Sequence, residues 1–273
     1  MKTLIDKTSK KLSVTQINMF LRCPVQWEFR YIKHIKTPPA GVMLQGRVYH
    51  STHAENFRQK INTGKDLSLS DMSDIYATSW NKEVVNNSEY SFSEITWDES
   101  PGKVKDGGYD LVKLYRNNMA PLIIPKEVEI RKSKKISQNL EGMGILDLVI
   151  DKLNTPNGSV ETSDIIGDLI IDHKVSGRKQ TQDEAERDLQ ATMYLWLTDS
   201  DTFEFHRAIR KQKPEIQIVK TKRTEEQFNR MLNMIKQIHA LMKLGIAFPR
   251  CDSFWCSSNF CGYYAMCKAR LNV

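Results

Sequence analysis

The apolar positions in the first part of the chain recur at helical spacing. Ser13 and Gln16 form a capping-box pattern, which predicts a helix that begins directly after Ser13. Pro24 interrupts this helix and predicts the start of the next one. The segment 44–61, "LQGRVYHSTHAENFRQKI", is typical of a further helix. We therefore expect an N-terminal helical part at 13–120.

The middle of the chain changes to the pattern of buried strands. The segments 141–151 ("EGMGILDLVID") and 164–174 ("DIIGDLIIDHK") are apolar runs on either side of the turn sequence "NTPNG". Together they predict an antiparallel hairpin. Two more strands are predicted at 202–210 and 215–222. The sheet core is therefore expected at 125–222.

The C-terminal part begins with an amphipathic helix and ends in a cysteine-bearing tail, expected together at 224–273. Apolar residues in the helix are spaced alternately by three and four, which predicts a core-facing stripe rather than a ligand set. They are Phe228, Met231, Ile235, Ile238 and Met242. The complete pattern predicts a single domain over 1–273, an α/β fold with a mixed central sheet flanked by helices.

Composition is that of an ordinary globular chain. Of its 273 residues, 40% are hydrophobic and 27% are charged, and the net charge is +7. No apolar run approaches the roughly 18 residues of a membrane span, and the N-terminus has no apolar segment of a secretory signal. We therefore expect a cytoplasmic protein with no membrane partner. The basic balance is compatible with a polyanion such as nucleic acid.

An acid and a base lie together at the end of the second predicted strand. In the hairpin, Asp147 and Asp172 come to matching points, where side chains approach to about 5 Å. Two carboxylates so close favour a divalent cation between them, and oxygen ligands suit Mg²⁺ or Mn²⁺. Lys174 shares the face of Asp172, whereas His173 points away and offers only its backbone carbonyl.

Simpler interpretations of these residues stay open. Asp172 and Lys174 could form a solvated pair at a strand end, because an Asp-x-Lys triplet arises often by chance. A shift of register in the hairpin would bring Asp151 or Asp168 into the place of one acid.

Four short motifs occur in an order that resembles the PD-(D/E)XK nuclease superfamily. They are "GRVYH" ending at His50, "GILDLVI" around Asp147, "IIDHK" ending at Lys174 and "QATMY" from Gln190 to Tyr194. The set looks most like the RecB-like branch, which includes CRISPR spacer-acquisition nucleases and many phage exonucleases. One departure is Leu146, where the family pattern has proline.

The resemblance implies a restriction-endonuclease-like core and a role for each motif residue. The metal would be held by His50, Asp147 and Asp172, with the backbone of His173 beside them. Lys174 would be the catalytic lysine. Gln190 and Tyr194, on one helix face, would contact DNA or place the scissile phosphate. Taken alone, His50 would be an ordinary helix histidine, Gln190 could flank a core stripe, and His53 is a neighbour that we do not expect to ligate.

Five cysteines are concentrated at the two ends of the chain. Cys256, Cys261 and Cys267 lie in the tail and Cys23 lies near the N-terminus. This division resembles the iron–sulfur version of the family and implies a [4Fe-4S] cluster. The family more often has two residues between the first two tail cysteines, where this chain has four. Cys251 could replace one ligand, and a zinc site or buried thiols are the alternatives.

Aromatic residues accompany the tail cysteines. Phe254, Trp255, Tyr263 and Tyr264 are expected to pack around the tail, with base stacking as the alternative.

The function expected from this pattern is metal-dependent hydrolysis of DNA, by an exonuclease acting on single strands or duplex ends. Basic segments at 131–135 and 220–223 would hold the backbone, although they could equally be solvated faces. The alternative is a non-catalytic, cluster-bearing DNA-binding subunit of a repair or recombination complex. A helicase or recombination partner would have to be a separate chain, and the sequence does not indicate an oligomeric state. The expected setting is a bacterial, archaeal or phage-infected cell.

Overall fold

The computed structural model describes residues 10–151 and 166–271. The predicted turn "NTPNG" lies outside these described residues. Contacts divide the chain into two compact units. We call one the terminal unit; it takes the described parts of Met1–Pro38, Ser133–Gly144 and Glu225–Val273. We call the other the site unit; it takes the described parts of Pro39–Lys132 and Ile145–Thr224.

The elements of the described chain follow the predicted order, with helices before and after a set of strands. The helices are α1 Val14–Arg22, α2 Pro24–Trp27, α3 Gly41–Thr63, α4 Leu69–Trp80, α5 Pro101–Asn118, α6 Gln182–Glu186, α7 Leu189–Thr198, α8 Glu225–Lys243 and α9 Tyr264–Leu271. The strands are β1 Lys11–Ser13, β2 Glu127–Ser137, β3 Leu140–Ile150, β4 Leu169–Ser176, β5 Thr202–Ile209 and β6 Glu215–Lys222.

The helices of the terminal unit begin where the sequence predicts. The Ser13 hydroxyl accepts a hydrogen bond of 3.3 Å from the backbone N–H of Gln16, which caps α1. Pro24 is the first residue of α2, where its missing N–H costs nothing. Along α8, the predicted stripe is buried at Met231, Ile235, Ile238 and Met242, whereas Phe228 is half-buried.

The strands pair as a mixed sheet, which confirms the predicted α/β class. In the terminal unit, β1 runs parallel to the first half of β3, with Leu12 opposite Gly142. In the site unit, β3 and β4 are antiparallel, β4 and β5 are parallel, and β5 and β6 are antiparallel. The predicted hairpin partners therefore pair, with Leu148 opposite Ile171.

The core of the site unit is built where α3, α4 and α5 pack beside the strands. Tyr49, Tyr76 and Tyr115 are almost completely buried in one apolar cluster with Leu148 and Ile171. Burying each large apolar side chain contributes about 1.5–3 kcal/mol, so this cluster is a main source of stability. It also fixes the position of α3, the helix that carries His50.

Helix α7 carries Gln190 and begins at a capped N-terminus. The Asp188 carboxylate accepts a hydrogen bond of 2.8 Å from the backbone N–H of Ala191. A side-chain acceptor here satisfies one of the N–H groups that have no partner inside the helix. Gln190 is therefore held in the first turn of a helix whose start is fixed.

We expect Asp188→Ala to lower the free energy of unfolding by about 1 kcal/mol, because an N-cap acceptor is lost. Urea denaturation of the two proteins measures the difference. Asp188→Asn is the matched control, since asparagine caps helices as well as aspartate does. An equal loss in both variants would show that the charge of Asp188 matters and that the cap does not.

Candidate active site

Asp147 and Asp172 face each other across β3 and β4. The observed register, extended by one position from Leu148 and Ile171, places the two acids at matching points. Asp147 Oδ2 accepts a hydrogen bond of 2.9 Å from the backbone N–H of His173 and lies 3.0 Å from Nδ1 of His50. Helix α3 and strand β4 therefore meet at this one carboxylate.

Asp172, Lys174 and Gln190 form a closed set of polar contacts. Lys174 Nζ lies 2.7 Å from Asp172 Oδ2 and donates to Gln190 Oε1 at 3.0 Å. The Gln190 amide donates to Asp172 Oδ1 at 2.6 Å. The alternation of β4 puts Asp172 and Lys174 on one face, and the first turn of α7 brings Gln190 to them. The structure thus brings Gln190 of one sequence motif to Asp172 and Lys174 of another.

The two acids have pKa values shifted in opposite directions. Burial acts to raise the pKa of Asp147, but the charge and hydrogen bond of His50 outweigh it and hold the pKa well below its usual range. Burial raises the pKa of Asp172 to about 6, and the Asp147 carboxylate adds to the rise. The charge of Lys174 lowers this pKa but does not cancel the rise. Such a split is typical of carboxylates that share a site without a metal cation.

The two cationic side chains show the complementary effect. Burial opposes a charge on His50, yet the Asp147 carboxylate raises its pKa. Burial likewise opposes the charge on Lys174, and Asp172 together with Asp147 raises its pKa. The positive charge of these side chains is therefore stabilised by the acids that they neutralise.

Tyr194 lies one helical turn after Gln190 and is half-buried. Burial raises the pKa of its hydroxyl, and the Asp172 and Asp147 carboxylates raise it further. Tyr194 therefore stays protonated and can donate a hydrogen bond near the two acids.

The side chain of His173 points to the opposite face of β4, as strand alternation predicts. Its Nε2 lies 2.9 Å from the hydroxyl of Tyr115, which lies 2.7 Å from Nδ1 of His206. Nε2 of His206 lies 2.9 Å from the Glu204 carboxylate. These four buried side chains, which we call the relay, connect α5, β4 and β5 behind the two acids.

The relay ends at a carboxylate that can only accept. Burial acts to raise the pKa of Glu204, but His206 and Lys220 lower it, so the carboxylate is ionised. Nε2 of His206 therefore donates to Glu204. Burial lowers the pKa of His173 well below its usual value, so His173 is neutral.

Sequence reasoning did not identify the relay. A signal was present in β5, where Glu204 and His206 are polar residues on one face of a strand whose other face carries phenylalanines. Tyr115 gave no signal, because it lies 58 residues from His173 and 91 residues from His206.

The alternative residues lie away from the pair of acids. Asp168 precedes β4 and is bound by Lys126 at 2.9 Å. Asp151 directly follows the last residue of β3, four residues beyond Asp147. His53 is completely buried, and within the described part of the chain both of its ring nitrogens lack a hydrogen-bond partner. Burial lowers the pKa of His53 to about 3, so it is neutral.

The donor set around the two acids suits a hard divalent cation. Carboxylate oxygens are the ligands that Mg²⁺ and Mn²⁺ prefer, and the imidazole of His50 lies 3.0 Å from Asp147 Oδ2. Within 10–151 and 166–271, no three His, Cys, Asp or Glu side chains converge closely enough to hold a metal ion. Lys174 and His50 occupy the position of neutralising charge in this structure.

The terminal unit brings the four expected cysteines to one pocket. Cys23, Cys256, Cys261 and Cys267 all line it, and Gln26 donates to the Cys261 sulfur at 3.1 Å. Burial raises the pKa of Cys256, and the neighbouring Cys251, Cys261 and Cys267 sulfurs raise it further. In the described residues these sulfurs, like the acids, do not form a preassembled metal site.

The aromatic residues of the tail divide into two groups, and the expectation of packing was wrong for one. Tyr263 is buried and stacks on Phe29 at a centroid distance of 5.6 Å. Phe254 and Trp255 are 69% and 41% exposed, and they contact each other and Phe260 instead. The local sequence could not predict which of these aromatic residues is buried, because burial depends on contact with Phe29, which is distant in sequence.

Comparison with known proteins gives the family. The sequence matches the PD-(D/E)XK nuclease superfamily over residues 11–268. The chain belongs to this superfamily. The match includes the acids, Lys174 and Gln190, and it contains residues of both units of this nuclease-superfamily chain.

Two solved structures are similar to this superfamily member. One, from Eubacterium rectale, carries the name "putative exonuclease"; it is 13% identical, with a TM-score of 0.55, over 92% of this chain and 87% of that chain. The other, named SSO0001, is 13% identical, with a TM-score of 0.47, over 96% and 88% of the two chains. At this identity the similarity shows the fold alone. No curated protein matches the sequence.

Within the described ranges, no helix is both long and apolar enough to cross a bilayer.

We expect Tyr115→Phe to lower the free energy of unfolding by about 1–3 kcal/mol, because His173 and His206 would keep buried polar atoms without their shared partner. Urea denaturation measures the loss. Tyr109→Phe, on the same helix, is the matched control, since the Tyr109 hydroxyl donates to Leu69 at an exposed position. Equal losses in the two variants would contradict a special contribution from the relay.

Proposed function

We propose that this protein is a metal-dependent DNA nuclease that hydrolyses phosphodiester bonds as an exonuclease on single strands or duplex ends. One observation carries the proposal: Asp147, Asp172 and Lys174 lie together beside His50, in a chain of the PD-(D/E)XK nuclease superfamily. The name of the similar structure from Eubacterium rectale is consistent with exonuclease activity.

Mg²⁺ or Mn²⁺ would be held by Asp147, Asp172 and His50, with the backbone of His173 beside them. When bound, the ion supplies positive charge to the scissile phosphate and to the attacking water. Asp147 is already ionised, whereas Asp172, with its pKa of about 6, loses its remaining proton near neutral pH. The protein's contribution is to carry both carboxylates on paired strands, and the three side chains would have to move closer together as the ion binds.

Lys174 would stabilise charge that develops on the phosphate, as a compact cation on the same face as Asp172. Gln190 contacts both Asp172 and Lys174, so it sets the distance between acid and base. Tyr194 would place the scissile phosphate through its protonated hydroxyl. The relay would act indirectly, by fixing His173, whose backbone N–H orients Asp147.

The second candidate is a non-catalytic DNA-binding subunit of a repair or recombination complex. The contacts of Asp172 with Lys174 and Gln190, and of Asp147 with His50, support the enzyme, because a subunit that only binds DNA has no need of the paired acids. A helicase or recombination protein would be a separate chain in either case.

The expected result is cleavage of end-labelled DNA in Mg²⁺ or Mn²⁺ and no cleavage in EDTA, with anaerobically purified protein. Lys174→Ala should lower the rate about 100-fold or more, because one electrostatic partner of the transition state is lost. Single-stranded and duplex substrates, labelled at either end, report strand preference and polarity.

Lys126→Ala is the matched control, because Lys126 pairs with Asp168 on the same side of β4 but outside the site. It should cleave like the wild type. Folded wild-type protein that binds DNA but does not cleave it with either metal would support the non-catalytic subunit instead.

We further propose that Cys23, Cys256, Cys261 and Cys267 hold a [4Fe-4S] cluster. The support is that all four line one pocket and come from both ends of the sequence. Four thiolates suit such a cluster, which would connect the two ends covalently through iron. Burial and the neighbouring sulfurs raise the pKa of Cys256, as expected where cysteines lie close together.

Metal analysis of anaerobically purified protein should find about four iron atoms per chain, together with visible absorbance typical of a cluster. Cys256→Ser should lose most of the iron. Cys251→Ser should retain it, since Cys251 is exposed and is not among the proposed ligands. One zinc per chain would contradict the cluster. Iron loss in Cys251→Ser but not in Cys256→Ser would show that Cys251, and not Cys256, is a ligand.

We propose a cytoplasmic setting and one nuclease domain for the whole chain. The superfamily match over both units supports the second proposal.

A further inference from the structure

A cleft of about 740 Å³ opens beside the paired acids in the site unit. One wall is a single stripe of α3, in which Met43, Gly46, Arg47 and His50 follow each other at spacings of three, one and three residues. The other wall is the end of β4 from Lys174 to Gly177, with Arg210 next to it. His50 and Lys174 belong to both the cleft and the candidate site, so the two are continuous.

Arg210 is fixed in this wall by the sheet. It directly follows β5, and its backbone N–H donates to the carbonyl of Ser176 at 2.7 Å. Arg210 therefore lies beside the end of β4 and lines the cleft. Arg47 faces it from α3, one helical turn before His50.

We propose that this cleft binds a single strand of DNA next to the scissile phosphate, with Arg47 and Arg210 on successive backbone phosphates. The proposal rests on the nuclease function and adds its substrate path. Guanidinium groups form paired hydrogen bonds with phosphate, so they suit this role better than lysines do.

Both arginines are paired at present with carboxylates, of which Glu83 also lines the cleft. Arg47 lies 3.3 Å from Glu83, and Arg210 lies 3.1 Å from Asp98. These pairs are partly exposed, and such pairs contribute little to stability. A phosphate can therefore replace the carboxylate at small cost, and until then each acid keeps its arginine oriented across the cleft.

The size of the cleft favours one strand over a duplex. A volume of 740 Å³ is that of a site for a small organic ligand, which corresponds to a short run of nucleotides. Single strands bind in charged grooves of this kind, in which the backbone follows the cations. The apolar surface of Met43, whose exposed fraction is 58%, offers a contact for a base.

Gly46 allows the backbone of the strand to approach α3. No heavy atom lies within 4 Å of the position that a Cβ would occupy there. Packing within the described residues would therefore leave room for a side chain at this position. Glycine lowers helix stability relative to alanine, so its place in the middle of α3 is consistent with the close approach of a ligand.

Within each ion pair, the arginine variant and the carboxylate variant are expected to change DNA binding in opposite directions. Binding of labelled oligothymidylate is measured in EDTA, where metal-dependent cleavage cannot occur. Arg47→Gln should weaken binding roughly fivefold to tenfold and reduce the salt slope by about 0.7. Glu83→Gln breaks the same ion pair but should tighten binding about twofold or more, because a like charge leaves the path of the phosphates.

Arg210→Gln should likewise weaken DNA binding, and Asp98→Asn should tighten it. Lys113→Gln is the control, because Lys113 pairs with Asp110 at 2.6 Å on α5 and does not line the cleft. Its binding should equal that of the wild type. Weaker binding in both members of a pair would show that the ion pair is only structural, and unchanged binding in both would show that DNA takes another path. Either result overturns the proposal.

Gly46→Leu tests the path by filling it. We expect binding of the single strand to fall about tenfold or more, whereas Gly46→Ala, which improves the helix equally well, should bind nearly as the wild type does. Urea denaturation should show both variants at least as stable as the wild type. Undiminished binding by a folded Gly46→Leu, or wild-type binding of duplex in preference to the single strand, would overturn the assignment.

Cleavage assays on the same variants separate this proposal from the nuclease function. If the wild type cleaves no DNA but the ion-pair variants change binding in opposite directions, the nuclease function fails and the cleft is retained. If the wild type cleaves DNA and the cleft variants bind and cleave like it, the cleft fails and the nuclease function is retained.

Discussion

The mutual repulsion of Asp147 and Asp172 is the constraint on which the rest of the site unit depends. The antiparallel pairing of β3 and β4 puts the two carboxylates at matching points in a largely buried place. Neither charge could be kept there without compensation, because burial and a like charge both disfavour ionisation. His50 from α3 and Lys174 from β4 supply it.

Strand β4 shows how one short segment can serve chemistry and architecture together. Its alternation directs Asp172 and Lys174 to one face and His173 to the other. On the second face, His173 joins Tyr115 and His206 in a hydrogen-bonded series that ends at an ionised Glu204. Because the backbone N–H of His173 also donates to Asp147, the buried series restrains the very strand that carries the acids.

The same electrostatic logic recurs at a distance from the acids. In the cleft, arginines are paired with partly exposed carboxylates, and in the terminal unit four thiols line one pocket. The partly exposed ion pairs contribute little to the stability of the fold.

The sequence by itself determined most of the long elements and the pairing of Asp147 with Asp172, whereas β1 was not predicted. Alternation and turn residues located β3 and β4, helical spacing located α3, α7 and α8, and the Asp-x-Lys pattern marked the face of β4, because each depends on neighbours only a few residues apart. Tertiary structure alone decided the relay, the cleft between α3 and β4, and the exposure of Phe254 and Trp255. These features join residues far apart in sequence, and their contacts depend on how elements pack rather than on any local pattern.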